Sequence, residues 1–236
     1  MKRRTFLVSI AGTALGGCAT IVPGGRPGPP IPAPLFRIGD RWVYRVEDGY
    51  RAPVVWQEAH EVSEVAADRV SIRVVAKGPT VDVERVELLH VPGIVRQGAV
   101  FGLESKPFEP ALVRYRFPLV GGATWTQRVR DPQQPPSPYG PIDRYTTVGG
   151  FEDVTTPAGT FSAVRMRVLM RLDDETFWRH PTECNYLVWY APDVGASVRE
   201  LRDADYLEKG SGPRDSFARV PVQHARIELV SFTRGR

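Results

Sequence analysis

The strongest constraint in this sequence is a run in which apolar and charged side chains alternate with a period of two. The apolar residues share one parity and the arginines the other: Val164, Met166, Val168, Met170 and Leu172 against Arg165, Arg167 and Arg171. Such alternation is typical of a strand that buries one face and wets the other, as strands of antiparallel sheets do. The run therefore predicts a half-buried strand rather than a helix.

The same periodicity recurs along the body of the chain. Trp42, Tyr44 and Val46 share one parity, and residues 70–76 alternate in the same way. In residues 186–190 (YLVWY) both parities are apolar, which indicates a strand covered on both sides. No stretch of ten residues has helical spacing. We therefore predict an all-β fold, a single antiparallel domain of about ten to twelve strands.

Proline and glycine residues that interrupt this alternation predict a turn. Pro157 presets φ for the first position of a type I turn, and Gly159 accepts the positive φ that follows. The pair predicts a three-residue hairpin loop in which Thr156 and Thr160 face each other.

Proline-rich segments suggest how the 236 residues are divided. Residues 18–34 include six prolines and three glycines between Val22 and Pro34, a composition that fits neither a helix nor a central strand. A second tract, 131–141 (DPQQPPSPYGP), reads as a long surface loop, with a domain boundary as the alternative. We predict an export signal at 1–17, a Pro/Gly-rich linker at 18–34 and one β-rich domain at 35–236.

The first residues, MKRRTFLVSIAGTALGGC, have the plan of an export signal: a basic start, an apolar stretch and small residues before a cysteine. The apolar stretch is about ten residues long, roughly 15 Å as a helix, against a hydrocarbon core of roughly 30 Å. A permanent transmembrane helix is therefore the weaker interpretation. The basic start also carries much of the net charge of +4, so nucleic-acid binding has little electrostatic basis.

Two features refine this signal. Leu15 and Gly17 before Cys18 resemble the lipobox of bacterial lipoproteins, which implies a mature N-terminus at Cys18 held in the membrane by fatty acyl chains such as palmitate. Arg3 and Arg4 resemble the core of a twin-arginine signal, with an ordinary Sec signal as the alternative. Because the residue after Cys18 is not aspartate, the outer membrane is favoured over the inner one. With Cys18 acylated, Cys184 has no partner for an intramolecular disulfide.

Three motifs together resemble a bacterial envelope family of unknown function, the TapB-like proteins. They are FPLVGGATW (117–125), FEDVTTPAGTF (151–161) and WYAPDVGASV (189–198). The resemblance implies a twisted antiparallel sheet that curls toward an open barrel, and it implies no activity. The chain departs from the family pattern after Val194 and Gly195, where it lacks Lys or Val.

Candidate chemistry is sparse. The densest group of possible metal ligands is Asp174, His180, Glu183 and Cys184, but no second pair of spaced His or Cys accompanies it. Surface polar residues beside a buried cysteine are the more ordinary interpretation. No nucleophile elbow, P-loop or dinucleotide fingerprint occurs, so we expect neither a catalytic residue nor a cofactor.

The aromatic residues leave two interpretations open: the wall of a cavity for an apolar ligand, or a filled core, which is the commoner outcome. Arg165, Arg167 and Arg171 are expected on a solvated face. The sequence therefore predicts a non-catalytic lipoprotein that faces the periplasm. It would act as a structural module of an envelope assembly or as a binding module for a lipid, another apolar ligand or an envelope protein. A metal-assisted hydrolase using His180 and Glu183 is the alternative.

Overall fold

Twelve β-strands and no α-helix form in the part of the chain that the computed structural model describes, residues 24–132, 140–210 and 218–236. The predicted signal 1–17 and Cys18 lie outside the described residues. Those residues contain no helix long and apolar enough to cross a membrane. The strands are β1 (Arg41–Asp48), β2 (Val54–Ala66), β3 (Arg69–Lys77), β4 (Asp82–Val91), β5 (Ile94–Gly98), β6 (Lys106–Val113), β7 (Thr124–Val129), β8 (Ile142–Thr156), β9 (Gly159–Leu172), β10 (Glu183–Ala191), β11 (Ala196–Leu207) and β12 (Arg219–Thr233).

All twelve strands belong to one antiparallel sheet, in the order β6-β5-β4-β3-β2-β1-β12-β11-β10-β9-β8-β7. The last strand, β12, lies between β1 and β11, so the two halves of the chain are joined at the middle of the sheet. The sheet curls until its two edges meet, giving a nearly closed barrel. The all-β prediction and the expected ten to twelve strands are confirmed.

The edges meet along a seam between β6 and β7. Glu109 and Arg130 exchange two backbone hydrogen bonds, of 2.8 and 3.0 Å. Nearby, the side-chain amide of Gln127 accepts a hydrogen bond from Val113 N and donates one to Ala111 O, both at 2.7 Å. Pro107 and Pro110 have no backbone N–H to donate, and the side chain of Gln127 supplies part of the pairing across the seam.

The inward face of the barrel follows the alternation seen in the sequence. On β1, Trp42, Tyr44 and Val46 are buried, while Arg41 and Arg45 face solvent. The strand read most directly from the sequence, β9, buries its apolar parity from Val164 to Leu172. Period-two patterning therefore decides which side chains point into the barrel.

The C-terminal half of the predicted linker packs against the barrel. Arg26 exchanges two backbone hydrogen bonds of 2.8 Å with Phe151, and Ile31 exchanges two with Leu119. The side chain of Arg26 also forms a bidentate ion pair with Asp153, at 2.6 and 2.9 Å. Ile31 is 3% exposed. We call residues 24–34 the strap, because they lie along the barrel instead of projecting from it.

The hairpin between β8 and β9 is tighter than predicted. Thr156 pairs with Gly159, so the loop has two residues, Pro157 and Ala158. Gly159 reaches this pairing with a φ of +131°, a value that side-chain-bearing residues rarely adopt. The residue facing Thr160 is therefore Thr155, whose hydroxyl lies 2.9 Å from that of Thr160, and the predicted pairing of Thr156 with Thr160 is wrong by one position.

Candidate binding cavity

The curled sheet encloses a cavity of about 220 Å³. Its lining comes from the inward faces of strands all round the barrel, and it divides into two contrasting regions. We call Glu58, His60, Arg85, Glu87 and Arg114 the charged wall, contributed by β2, β4 and the end of β6. We call Met166, Val168, Met170 and Val188 the apolar wall, contributed by β9 and β10, half the sheet away.

Strand register places the charged side chains together. Across β2, β3 and β4, Glu58 is in line with Ala76, and His60 is in line with Val74 and Arg85. Because cross-strand neighbours on one face lie about 5 Å apart, the long side chains of Glu58 and Arg85 reach each other over the small Ala76 and Val74 between them. The charged wall is thus a product of in-register pairing.

Glu58 is the best-connected carboxylate of the charged wall. It accepts hydrogen bonds from Arg85 Nη2 at 3.0 Å, His60 Nε2 at 3.0 Å and Trp56 Nε1 at 3.1 Å. Burial by itself would raise the pKa of Glu58, but the hydrogen bond and charge of His60, together with Arg85, hold this pKa well below its ordinary value. Glu58 is therefore ionised throughout the neutral range.

Two further carboxylates inside the barrel are paired in the same way. Glu87, 3% exposed, accepts a hydrogen bond from Arg114 Nη1 at 2.8 Å. Glu200 accepts bonds from Arg202 at 2.6 and 2.8 Å and from Ser197 Oγ at 2.7 Å. Burial would raise the pKa of both carboxyls, yet their arginine partners lower it. Each of these three carboxylates therefore holds one arginine.

Arg144 has no such partner. It is 6% exposed and lies on β8, where its cross-strand neighbour is Met170 of the apolar wall. Its guanidinium donates to the backbone carbonyls of Val113 at 2.7 Å and Arg114 at 3.3 Å. In the described part of the chain no carboxylate lies within 4.0 Å of it. Burial, with a further contribution from the charge of Arg114, lowers the pKa of Arg144 to about 10.

Arg85 also has unused donors. Its side chain is 8% exposed, and only Nη2 makes an ion pair, with Glu58. Among the described residues, neither Nε nor Nη1 of Arg85 has a hydrogen-bond partner. A buried N–H without a partner costs free energy, which a bound acceptor would recover.

The apolar wall is the inward face of the most regular strands. Met166 and Met170 are 0% and 4% exposed, and Val168 and Val188 lie beside them. Methionine is unbranched and polarisable, so it adapts to ligands of irregular shape. The polar group bordering this wall, the Tyr186 hydroxyl, donates to Gln223 Oε1 at 2.7 Å. The four side chains of the apolar wall offer contact area to a ligand and carry no charge.

The structure does not assemble the predicted metal ligands. Asp174 is 3% exposed and structural: it accepts hydrogen bonds from Thr182 N and Oγ1, both at 2.8 Å, and from Arg179 Nη2 at 2.6 Å. Glu183 faces outward, whereas Cys184 points into the barrel and burial raises the pKa of its thiol to about 12. Among the described residues no three His, Cys, Asp or Glu side chains are placed to hold a metal ion.

The other sequence expectations concern the outer surface and the aromatic residues. Arg165, Arg167 and Arg171 lie on the outward parity of β9, and Arg165 forms an ion pair with Glu152 at 3.0 Å. Several aromatic rings, among them Trp42, Tyr44 and Tyr190, line the cavity, so core and cavity wall are parts of one surface. The cavity they border also has charged side chains in its lining, so it is not apolar throughout.

Sequence reasoning missed the charged wall. On β4 the inward parity carries Arg85 and Glu87 together with Leu89, while the outward parity carries Val86, which is 42% exposed. The usual assignment of charge to the wet face therefore misleads on this strand. One sequence signal could have indicated the charged wall: Glu58 shares its parity with the apolar Val62 on β2, and Glu87 shares its parity with Leu89 on β4.

No family model and no curated protein matches this chain. Two solved structures are similar to it. One is a "putative lipoprotein" of Parabacteroides distasonis, with 15% identity, a TM-score of 0.47, and coverage of 86% of this chain and 99% of that one. The other is a "putative exported protein with YmcC-like fold" of Bacteroides fragilis, with 12% identity, a TM-score of 0.47, and coverage of 87% and 100%. The TapB-like resemblance stays a prediction.

Proposed function

We propose that this protein is a non-catalytic binding module of the bacterial cell envelope, tethered to a membrane through acyl chains on Cys18. The observation that carries the binding role is the cavity of about 220 Å³ inside the barrel, whose lining combines charged groups with methionine and valine side chains. Ligand sites combine apolar lining with a few placed polar groups in this way.

The state of the carboxylates favours binding over catalysis. Glu58, Glu87 and Glu200 are each tied to an arginine, and their pKa values are lowered from the ordinary value of 4.5. A general acid or base works best with a pKa near the working pH, so these groups are poorly tuned for proton transfer at neutrality. The alternative of a metal-assisted hydrolase at His180 and Glu183 has no third ligand among the described residues.

The envelope location rests on the N-terminal sequence. A basic start, a short apolar stretch and Leu15 and Gly17 before Cys18 support export followed by acylation. Two acyl chains suffice to hold a protein on a bilayer, because each buried CH₂ contributes about 0.8 kcal/mol. We place the barrel on the periplasmic side, at the outer membrane, since Ala19 follows the modified cysteine.

The anchor is tested by replacing each cysteine in turn in cells fed with labelled palmitate. We expect Cys18→Ala to lose the label and to keep its leader peptide, since the acylated thiol is the substrate for cleavage. Cys184→Ala is the matched control, because Cys184 is buried inside the barrel, and it should keep the label. Label retained in Cys18→Ala would contradict the anchor.

The export route is tested separately. Replacing both Arg3 and Arg4 by lysine keeps the basic charge that a Sec signal needs and removes the paired arginines. We expect this double variant to remain in the cytoplasm as an uncleaved precursor, as a twin-arginine signal requires. Normal export of the double variant would instead assign the Sec route.

The binding role is tested by native mass spectrometry of residues 19–236, which keep every described residue of the barrel and the strap. Exported to the periplasm behind a cleavable signal peptide and purified under gentle conditions, the protein should carry the added mass of one small molecule. Denaturation should release that mass, since the cavity exists only in the folded barrel. A preparation with the bare sequence mass in native conditions would count against a binding role.

A further inference from the structure

We propose that the cavity binds a small amphipathic carboxylate, with its oxyanion on Arg144 and Arg85 and its apolar part against the apolar wall. This inference rests on the proposed binding function and names the chemical class of its ligand.

The first support is the pairing of charges inside the barrel. Three arginines have carboxylate partners: Arg85 with Glu58 at 3.0 Å, Arg114 with Glu87 at 2.8 Å and Arg202 with Glu200 at 2.6 Å. In the described residues Arg144 has no carboxylate within 4.0 Å, and the charge of Glu200, which is paired with Arg202, acts on it only from a longer distance. A buried guanidinium stays charged in proteins, and an uncompensated buried charge is costly. An anionic ligand supplies the missing partner.

A fourth carboxylate lines the cavity but does not fill this role. Asp48 Oδ1 accepts the backbone N–H of His224 at 3.0 Å. Within the described residues Asp48 forms no ion pair, with Arg144 or with any other basic group, at 4.0 Å or less. Among the described residues Arg144 therefore has no carboxylate in direct contact, and a ligand carboxylate would take that position.

The second support is the pair of unsatisfied donors on Arg85. Its Nε and Nη1 are buried and lack partners in the part of the chain that the structure describes, and the side chain borders the cavity. Carboxylates accept such hydrogen bonds and match the planar fork of a guanidinium. A carboxylate in the cavity would recover bonds that the empty barrel forgoes.

The third support is the position of Arg144 beside the apolar wall. Met170 is its cross-strand neighbour, and Val168 and Met166 lie two and four residues before Met170 on the same face of β9. A ligand whose head contacts Arg144 therefore has its remaining atoms directed along methionine and valine side chains. The site is built for a molecule with one charged end and one apolar end, and not for an inorganic ion alone.

The volume sets the size of that molecule. A cavity of roughly 150 Å³ in an engineered protein holds benzene, so about 220 Å³ holds a ligand of roughly ten non-hydrogen atoms. This is enough for an eight-carbon fatty acid or a small aromatic acid, and too little for a two-chain phospholipid.

The test is calorimetric titration of residues 19–236 with octanoate, 3-phenylpropionate, octanamide and inorganic phosphate. We expect one or both carboxylates to bind, and whichever binds tighter identifies the tail as an acyl chain or an aromatic ring. Octanamide should bind at least about tenfold more weakly than octanoate, because charged hydrogen bonds are lost. Phosphate, which has no apolar part, should bind more weakly than the preferred carboxylate.

Variants of Arg144 and Arg85 test whether these side chains bind the carboxylate group of the ligand. Arg144→Gln should weaken carboxylate binding about tenfold or more, and Arg144→Lys should restore most of it by keeping the charge. Arg85→Gln gives an independent reading if the first variant fails to fold, since Arg144 also holds two backbone carbonyls near the seam. Arg167→Gln is the matched control: Arg167 faces outward on β9, so the affinity should not change.

Three results would overturn the inference: no binding of octanoate or 3-phenylpropionate, equal affinity for octanoate and octanamide, or an unchanged affinity in folded Arg144→Gln and Arg85→Gln. Each would leave the proposed binding function standing if native mass spectrometry still shows a bound neutral molecule. The absence of any bound molecule in that measurement would remove the binding function itself, so the two failures are distinguishable.

Discussion

The charged wall and the apolar wall are built by the same sheet with the same alternation, yet they differ in what holds them. Met166 and Val168 are stabilised by removal of apolar surface from water, at about 25 cal/mol per Å². Glu58 and Arg85 lose their hydration and regain hydrogen bonds and charge pairing, a balance that is often close to zero or unfavourable. The comparison indicates that the apolar wall serves folding, while the charged wall needs another justification, which the proposed ligand supplies.

The largest difference between the charged groups and the apolar wall should be how their contributions to stability respond to acid. The pKa values of Glu58, Glu87 and Glu200 are lowered by folding from an ordinary 4.5, so the stability they contribute is complete above that value and is lost as the pH falls below it. Each carboxyl can lower the free energy of unfolding by about 1.4 kcal/mol per pH unit, and the three together by up to about 4 kcal/mol per pH unit. Urea unfolding between pH 7 and pH 3 measures this slope. A slope that stays flat below pH 4.5 would contradict the pairing described.

Removing one charge of the buried pair should be nearly as damaging. Glu58→Gln leaves the guanidinium of Arg85 without its carboxylate, and breaking a buried ion pair costs about 3–5 kcal/mol. The control is Glu61→Gln on the same strand, where the partner Arg41 is 3.8 Å away and both groups are exposed. Its cost should be about 0.5 kcal/mol or less. Denaturant midpoints of the two variants give the comparison, and equal midpoints would refute it.

Truncating the apolar wall should cost somewhat less and behave differently with pH. Met166→Ala removes buried contacts and enlarges the cavity, at about 2–4 kcal/mol. Because no titratable group is touched, the loss should be the same at pH 7 and pH 5. Leu169→Ala, on the outward face of β9 and 39% exposed, is the control and should cost about 1 kcal/mol or less. A pH-dependent loss in Met166→Ala would mean that the walls are not independent.

A change outside both walls should affect stability alone. Gly159→Val forces a β-branched residue to a φ of +131° at the β8–β9 hairpin, which should cost about 1–2 kcal/mol. Octanoate affinity should be unchanged, because the hairpin contributes no side chain to the cavity. The thermal midpoint and a calorimetric titration report the two quantities. Unchanged stability would show that the backbone there is not strained by a side chain.

Sequence reasoning predicted the fold better than the candidate site. Alternation on β1 and β9 identified strand faces directly, because apolar residues on one parity and arginines on the other leave one burial choice. The same rule failed on β4, where Arg85 and Glu87 point inward. The buried charges of Arg85 and Glu87 are tolerated because each has a partner elsewhere in the fold, Glu58 for Arg85 and Arg114 for Glu87. Strand register brings each pair together although its members are 27 residues apart in sequence. No local pattern records those separations.

The hairpin shows the same limit at smaller scale. Pro157 and Gly159 located the turn, but the loop length depends on whether Gly159 pairs with Thr156, which is a property of the backbone and not of composition. The predicted register is therefore off by one residue: the prediction placed Thr156 opposite Thr160, where the structure has Thr155.

The strap also determines how much freedom the anchored protein has. Its backbone is fastened at Arg26 to β8 and at Ile31 beside Leu119, and a Cβ on Gly150 would lie only 2.5 Å from the carbonyl carbon of Gly25, so the chains touch without intervening side chains. If Cys18 carries the acyl chains, seven residues (19–25) remain between Cys18 and the first fastened point at Arg26, a reach of roughly 27 Å even fully extended. The short tether would then keep the barrel close to the lipid headgroups.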